Sequence, residues 1–281
     1  MLCEDPNPSP PHSGSLVLHC RRAPLKEQRS SSHRGRIFDP DSINAGLTFL
    51  PKRVVIAGSG IIAIEYAQIF RKLGADVTII VRGCAGDAIA RIGLDETIAE
   101  KLLSGLVKDG VKILEGTEIE SFKYLDPTSS GEKFATDTST LRTLQMQLIG
   151  DHTLPIDADL YMACLGRIPR GKGTSLGLEA AGIDFSQRGH IWTDENHQTS
   201  REGIFAAGDC TAGPALASTG VDQAQQASER MFGCIDGTVE CLLEKKPYPI
   251  GMWTTPECAY YGLTKKQAEL KGYDAEVGIA S

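Results

Sequence analysis

From Leu50 onward the apolar and polar positions fall into blocks of two different periods. Arg53-Val-Val-Ile-Ala57 and the run 77–82 are short, nearly continuous apolar stretches, as strands buried on both faces require. Between them the spacing predicts a helix over 60–73. A second helix is predicted over 95–109, where Ile98, Leu102, Leu103 and Leu106 recur at helical spacing. Strands follow at 111–114, 118–124 and 141–149, the last alternating Leu144, Met146 and Leu148 as a half-buried strand does. The Ser/Thr/Gly-rich stretch 126–137 reads as a hairpin loop. Asp159–Leu165 is an apolar run ending in Gly166-Arg167, and another strand, Ile204–Ala207, leads to a helix reaching about Phe232. A β-α-β unit, a helix, a meander and a closing strand imply a compact three-layer α/β domain.

Residues 1–36 break this pattern. They are rich in Pro, Ser and Arg and have no helical or strand period, which predicts an irregular tail. The Arg/Ser-rich part from Arg21 to Arg36 resembles an organelle transit segment, although such segments are poor in acids and Glu4 and Asp5 lie at the start.

The 281 residues carry a net charge of −7, yet residues 1–36 hold six Lys/Arg against three Asp/Glu, which leaves the remainder near −10. An acidic body argues against nucleic acid as the main partner. No uninterrupted apolar run approaches the roughly 20 residues of a membrane helix. The eight cysteines show no Cys-x-x-Cys pair and sit partly inside apolar runs, Cys164 among them. They read as core residues of a soluble protein in a reducing compartment rather than a disulfide framework, which leaves the compartment itself open. The histidines are scattered, and neither a metal site nor an acid–base or nucleophilic constellation is evident, so no catalytic side chain is assigned.

Chemistry enters at Gly58-Ser-Gly-Ile-Ile-Ala63. A Gly-x-Gly-x-x-Gly/Ala run between a buried strand and a helix is the context of a dinucleotide fingerprint. Gly58 makes the tight turn, Gly60 lets the backbone approach a diphosphate, and Ala63 allows close helix–strand packing. Ser59, Ile61 and Ile62 complete the turn and the helix start, whose N–H groups favour phosphate. An acid commonly follows by roughly 20 residues to hold an adenosine 2′-hydroxyl. Here that place falls near Val81, beside Arg82 and a short loop from Arg91. Two guanidinium groups suit a 2′-phosphate, which favours NADP(H) while leaving NAD(H) open. A second signal is Ile204-Phe-Ala-Ala-Gly-Asp209, which sets a carboxylate at a strand's carboxyl end, where α/β sheets hold ligands.

Together these motifs resemble the class I pyridine nucleotide-disulfide oxidoreductases over roughly residues 37–281. The fingerprint matches Gly58–Glu65, a middle motif matches Cys164-Leu-Gly166-Arg-Ile-Pro169, and a flavin motif matches Thr199 with Ile204–Asp209. Leu216-Ala-Ser-Thr-Gly-Val-Asp-Gln-Ala224, Ile37–Ile43 and Met252–Glu257 are most similar to the soluble NAD(P)+ transhydrogenase branch. The resemblance implies Rossmann-like three-layer FAD- and NAD(P)-binding domains with part of an α+β dimerisation domain. The boundaries it implies are 37–165 for NAD(P), 166–246 for the C-terminal half of an FAD domain, and 247–281 for the start of a dimer domain. It implies that Asp209 holds a ribityl hydroxyl of FAD, that Leu216 and Ala217 face the flavin, and that Glu65 lies near the flavin–nicotinamide junction. Ile61 stands where glutathione reductases have a tyrosine, and Arg170 where asparagine is common.

The resemblance further implies hydride transfer between NADPH and NAD+ through flavin, and a homodimer. The family's first glycine fingerprint and its C-terminal His/Glu motif are not seen, so the chain is expected to be truncated at both ends. Two alternatives stay open: a disulfide reductase like dihydrolipoamide dehydrogenase or glutathione reductase, and a nucleotide-binding fragment without turnover.

Overall fold

The computed structural model describes residues 16–19, 22–24, 35–90, 93–125, 143–169, 171–174, 176–233 and 248–279. In chain order they form strands β1 (Leu16–His19), β2 (Arg22–Pro24) and β3 (Ile37–Phe38), helix α1 (Ile43–Gly46), strand β4 (Arg53–Ala57), helix α2 (Ile61–Lys72) and strand β5 (Asp76–Ile80). Helices α3 (Ala85–Ala90) and α4 (Glu96–Lys108) follow, then strands β6 (Lys112–Leu114), β7 (Thr117–Leu125), β8 (Thr143–Gly150), β9 (Ile156–Ala158), β10 (Leu160–Ala163) and β11 (Arg167–Pro169). The remaining elements are β12 (Ile204–Ala207), α5 (Ala217–Phe232), β13 (Ile250–Met252), β14 (Cys258–Tyr260) and α6 (Lys265–Leu270). The chain divides into two units, one of Pro24–Gly166 with Gly251–Ser281, the other of Met1–Ala23 with Arg167–Ile250.

The first unit is built on a parallel sheet of order β3-β10-β4-β5-β6. Strand side chains alternate between faces, and both faces are apolar. Val54, Ile56, Val77, Ile79, Leu160 and Met162 cluster with Ala63, Ile64, Ala67 and Phe70 of α2 and with Ala99, Leu102 and Leu106 of α4. Val55, Ala57, Ile80, Tyr161 and Ala163 cluster instead with Leu144, Met146 and Leu148 of β8. That strand is the centre of an antiparallel meander, β7-β8-β9. Helices, parallel sheet and meander thus make the expected three layers. Leu144 and Met146 are fully buried, so truncating Leu144 to Ala should cost about 2–5 kcal/mol.

Local chemistry sets the helix ends. Asp95 caps α4 by accepting the Thr97 N–H at 3.0 Å. Helix α2 stops at Gly74, whose φ of +91° turns the chain so that the Ala75 N–H reaches the Phe70 carbonyl at 3.0 Å.

The structure refines the apolar run 159–165. The chain changes sheets at Asp159, leaving β9 in the meander and β10 in the parallel sheet. The Asp159 carboxylate accepts the N–H groups of Lys52 and Arg53 at 3.1 and 2.9 Å and the Arg53 guanidinium at 2.8 Å. Residues 251–279, expected to open a dimerisation domain, are packed on the first unit here. They cluster with the first unit, where Met252 is buried in the α2/α4 core and Cys258 and Tyr260 pack against it.

In the second unit β12 pairs in parallel with β1, Leu16 opposite Ile204 through His19 opposite Ala207. Within the segment 1–36, expected to be irregular, Leu16–His19 form a strand, while residues 1–15, 20–21 and 25–34 lie outside the described residues. The four residues Leu16-Val-Leu-His19 are too short for a period to show, and pairing with β12 supplies the hydrogen bonds that hold them extended. Strand β2 likewise pairs with β11. Leu178, Ile183, Ile191, Ala206 and Cys210 form one small core, and Phe205, Ala227 and Met231 another that packs α5 on β12.

Candidate functional site

The parallel sheet of the first unit has a switch point. From β4 the chain winds through α2 to β5 and β6 on one side, while β10 lies on the other. Open α/β sheets hold ligands at the carboxyl ends of such strands. There Gly58 donates to the Ile80 carbonyl at 2.9 Å and Cys164 to that of Ala57 at 2.8 Å. Gly58 has a φ of +112°, and a Cβ on it would lie 2.4 Å from the Cys164 carbonyl oxygen. Only glycine is tolerated at that point.

Gly60 is glycine for another reason. Its φ of −75° suits any residue, and a Cβ there would meet no protein atom within 4 Å. It is the N-cap of α2 and brings no side-chain cap, so the first N–H groups of the helix lack the partner a Ser or Asp would supply. Ser59 is buried beside it, and Ile61 and Ile62 are half-buried on the first turn. Ala63 is fully buried between helix and sheet. The bare backbone, the open space and the helix N-terminus fit an anionic diphosphate.

At the end of β5, Val81 is buried and donates to the Leu114 carbonyl at 2.9 Å, while Arg82 is exposed. The position itself, Val81, therefore supplies no carboxylate, and the next residue presents a cation. Arg91 and Arg170 lie outside the described residues. Gly166, with a φ of +115°, turns the chain beyond β10. Glu65 accepts the Trp253 N–H at 2.8 Å through Oε1, so here it ties the C-terminal segment to α2. Cys164 is no ready nucleophile: burial, reinforced by the Asp39 carboxylate, pushes its thiol up to about 12.

Asp209, Leu216 and Ala217 belong to the second unit. Asp209 follows Gly208, which has a φ of +83°, at the carboxyl end of β12. Leu216 is the N-cap of the 16-residue helix α5, again without a side-chain cap, and Ala217 opens the helix. Two residues that carry no signal of their own in the sequence stand out here. The Thr219 hydroxyl, in the first turn of α5, is buried without a hydrogen-bond partner among the described residues, an uncommon condition that calls for an explanation. The buried Gln223 accepts the Gly208 N–H at 2.7 Å. Its place was readable only as a glutamine seven residues past Leu216, close to two helical turns and hence on the same face.

The parallel sheet, the glycine turn at its switch point and the uncapped helix define a dinucleotide-binding α/β protein. The chain belongs to the pyridine nucleotide-disulphide oxidoreductase family, which matches residues 21–228. It is 32% identical over 266 residues to the soluble pyridine nucleotide transhydrogenase of Mycobacterium bovis (strain BCG / Pasteur 1173P2), covering 94% of this chain and 50% of that one. With the enzyme of the same name from Pseudomonas aeruginosa (strain LESB58) it shares 30% identity over 270 residues, 94% of this chain and 51% of that one. In fold it is similar to the HOCl-induced flavoprotein disulfide reductase RclA from Escherichia coli, solved as a Cu(II) complex. That likeness has a TM-score of 0.71 at 22% identity and covers 92% of this chain and 54% of that one. The chain spans about half the length of the relatives it matches.

Proposed function

We propose that this chain carries the NAD(P)-binding unit and part of the FAD-binding unit of a flavin-dependent pyridine nucleotide oxidoreductase, of the kind that moves hydride between NADPH and NAD+. The observation that carries the reading is the pair Gly58 and Gly60: the first is demanded by the fold, the second only by something that approaches the backbone from outside. The two transhydrogenase relatives support the choice of branch, since each aligns along nearly the whole of this chain.

In this reading the turn at Gly58–Ile62 and the start of α2 hold the nicotinamide cofactor's diphosphate, and Arg82, with Arg91, holds a 2′-phosphate. Asp209 accepts a ribityl hydroxyl of FAD. The N-terminus of α5, at Leu216 and Ala217, faces the flavin and favours the negative charge of its reduced form. The buried Thr219 hydroxyl at that turn and the missing N-cap side chain are compatible with such a neighbour. Flavin, when bound, supplies the acceptor and donor of hydride; the protein binds and orients, and no side-chain acid or base is assigned.

The test is hydride exchange. Purified protein reconstituted with FAD should turn yellow, bind NADPH and reduce a thio-NAD analogue with NADPH. Binding of NADPH by colourless protein without exchange would instead support a nucleotide-binding fragment. Reduction of a disulfide in place of the analogue would support the disulfide reductase branch.

A further inference from the structure

In the second unit, the turn that carries Asp209 and the helix that begins at Leu216 are joined by one buried side chain. The Gly208 N–H points to Gln223 of α5, whose Oε1 accepts it at 2.7 Å. The Thr211 hydroxyl lies 3.5 Å from the same oxygen and donates to the Gly208 carbonyl at 2.9 Å, closing the turn around Asp209. The loop beyond passes close to the amide, since a Cβ at Gly213 would lie 3.5 Å from Gln223 Nε2. Gln223 is only 4% exposed, and an amide so buried cannot exchange these partners for water.

We infer that Gln223 is a positioning residue: through Gly208 and Thr211 it fixes the Asp209 turn against α5, so that the ribityl-binding carboxylate and the helix N-terminus face one flavin at a set spacing. The inference rests on the flavin reading of this unit. It assigns Gln223 no contact with the reacting atoms. Its effect passes through two groups that the sequence pattern treats as separate motifs.

Gln223→Met keeps the side-chain length and removes the acceptor. In the full chain, FAD affinity should fall by about 10-fold, the worth of one buried hydrogen bond. NADPH affinity should stay within roughly 2-fold, because that site lies in the other unit. A purely structural role would lower the thermal midpoint alone. Positioning also shifts the visible spectrum of the flavin bound at saturation and makes its reduction potential more negative, since the helix N-terminus then stabilises reduced flavin less.

If the wild-type chain binds no FAD, the flavin reading itself fails. If it binds FAD and Gln223→Met matches it in affinity, spectrum and potential, only the role of Gln223 is overturned. A lowered midpoint with an unchanged saturated spectrum and potential overturns it too. A measurement on the wild type covers a variant that does not fold: the Gly208 amide should exchange with solvent more slowly than its neighbours at 212–213, and more slowly still with FAD. Fast exchange at Gly208 would refute the tie.

Discussion

The α-carbon of Gly58 sits so close to the carbonyl of Cys164 that a Cβ at residue 58 would lie 2.4 Å from that oxygen. Two parallel strands converge there, and the turn has to leave between them with a φ of +112°. Gly60, two residues on, is unconstrained by protein atoms within 4 Å. Substitution therefore separates the two glycines. Gly58→Ala combines a backbone clash with a left-handed φ and should cost about 1–3 kcal/mol of stability or more. Gly60→Ala should leave stability within about 0.5 kcal/mol and weaken NADPH binding by about 10-fold or more, because the new methyl occupies the diphosphate's approach. Denaturant unfolding and calorimetry on both variants check this. A Gly60→Ala protein with wild-type NADPH affinity would remove the reading of that turn.

Arg82 is exposed at the end of β5, next to the buried Val81, which offers no carboxylate. Arg82→Ala should lower NADPH affinity by about 10-fold through loss of charge-assisted bonds to the 2′-phosphate and leave NADH affinity nearly unchanged. The ratio of the two affinities, measured by titration before and after substitution, is the decisive quantity. An equal loss for both cofactors would mean that Arg82 contributes only a general positive field.

The first unit was legible in the sequence because its signals are periodic and local. Val54–Ala57 and the Leu144/Met146/Leu148 alternation each fix a face, and Gly58-x-Gly60 fixes the turn between strand and helix. What escaped depends on partners far along the chain. Asp159 splits an apolar run because Lys52 and Arg53, more than 100 residues earlier, supply donors to its carboxylate. Strand β1 exists as the neighbour of β12, and four residues carry no readable period. Asp209 is marked by its place at a strand's carboxyl end and Leu216 by motif resemblance, whereas Gln223 became visible only once helix and turn were folded together. Glu65, read toward the flavin, has a backbone partner in Trp253 that its local sequence does not announce.

The Asp159 junction should also govern the acid limit of the first unit. Burial alone would raise its pKa, but the Arg53 hydrogen bond and charge, with the N–H groups of Arg53 and Lys52, outweigh it and hold the carboxyl below its ordinary range. A lowered folded-state pKa means that the contribution is complete above the unfolded value of about 3.9. It is lost as pH falls through the lower folded value. Asp159→Asn should therefore lower stability at neutral pH and flatten the decline below about pH 4. Denaturant midpoints of both proteins from pH 7 to pH 2.5 test this, and parallel curves would show that another carboxylate sets the limit.

The C-terminal segment is held by one stripe of α2. Glu65 and Gln68 stand three residues apart and Lys72 four further, the spacing that puts side chains on one helical face. Glu65 accepts the Trp253 N–H at 2.8 Å, and Gln68 meets both backbone groups of Thr255, accepting its N–H at 2.7 Å and donating to its carbonyl at 3.0 Å. Lys72 adds a bond to the Thr255 hydroxyl. The buried Gln68 thus treats Thr255 as a neighbouring strand would. Gln68→Leu fills similar space but leaves two backbone groups without partners, at about 1–3 kcal/mol. Amide exchange at residues 253–255 should accelerate accordingly. Glu65→Gln keeps an acceptor for Trp253 and should change that exchange little. The contrast separates this tie from a cofactor role. Should Glu65→Gln leave the segment protected yet slow hydride exchange in the reconstituted protein, Glu65 acts toward the nicotinamide as well. Should Gln68→Leu leave residues 253–255 as protected as before, the segment is held by Met252, Cys258 and Tyr260 in the core, and the polar stripe is incidental.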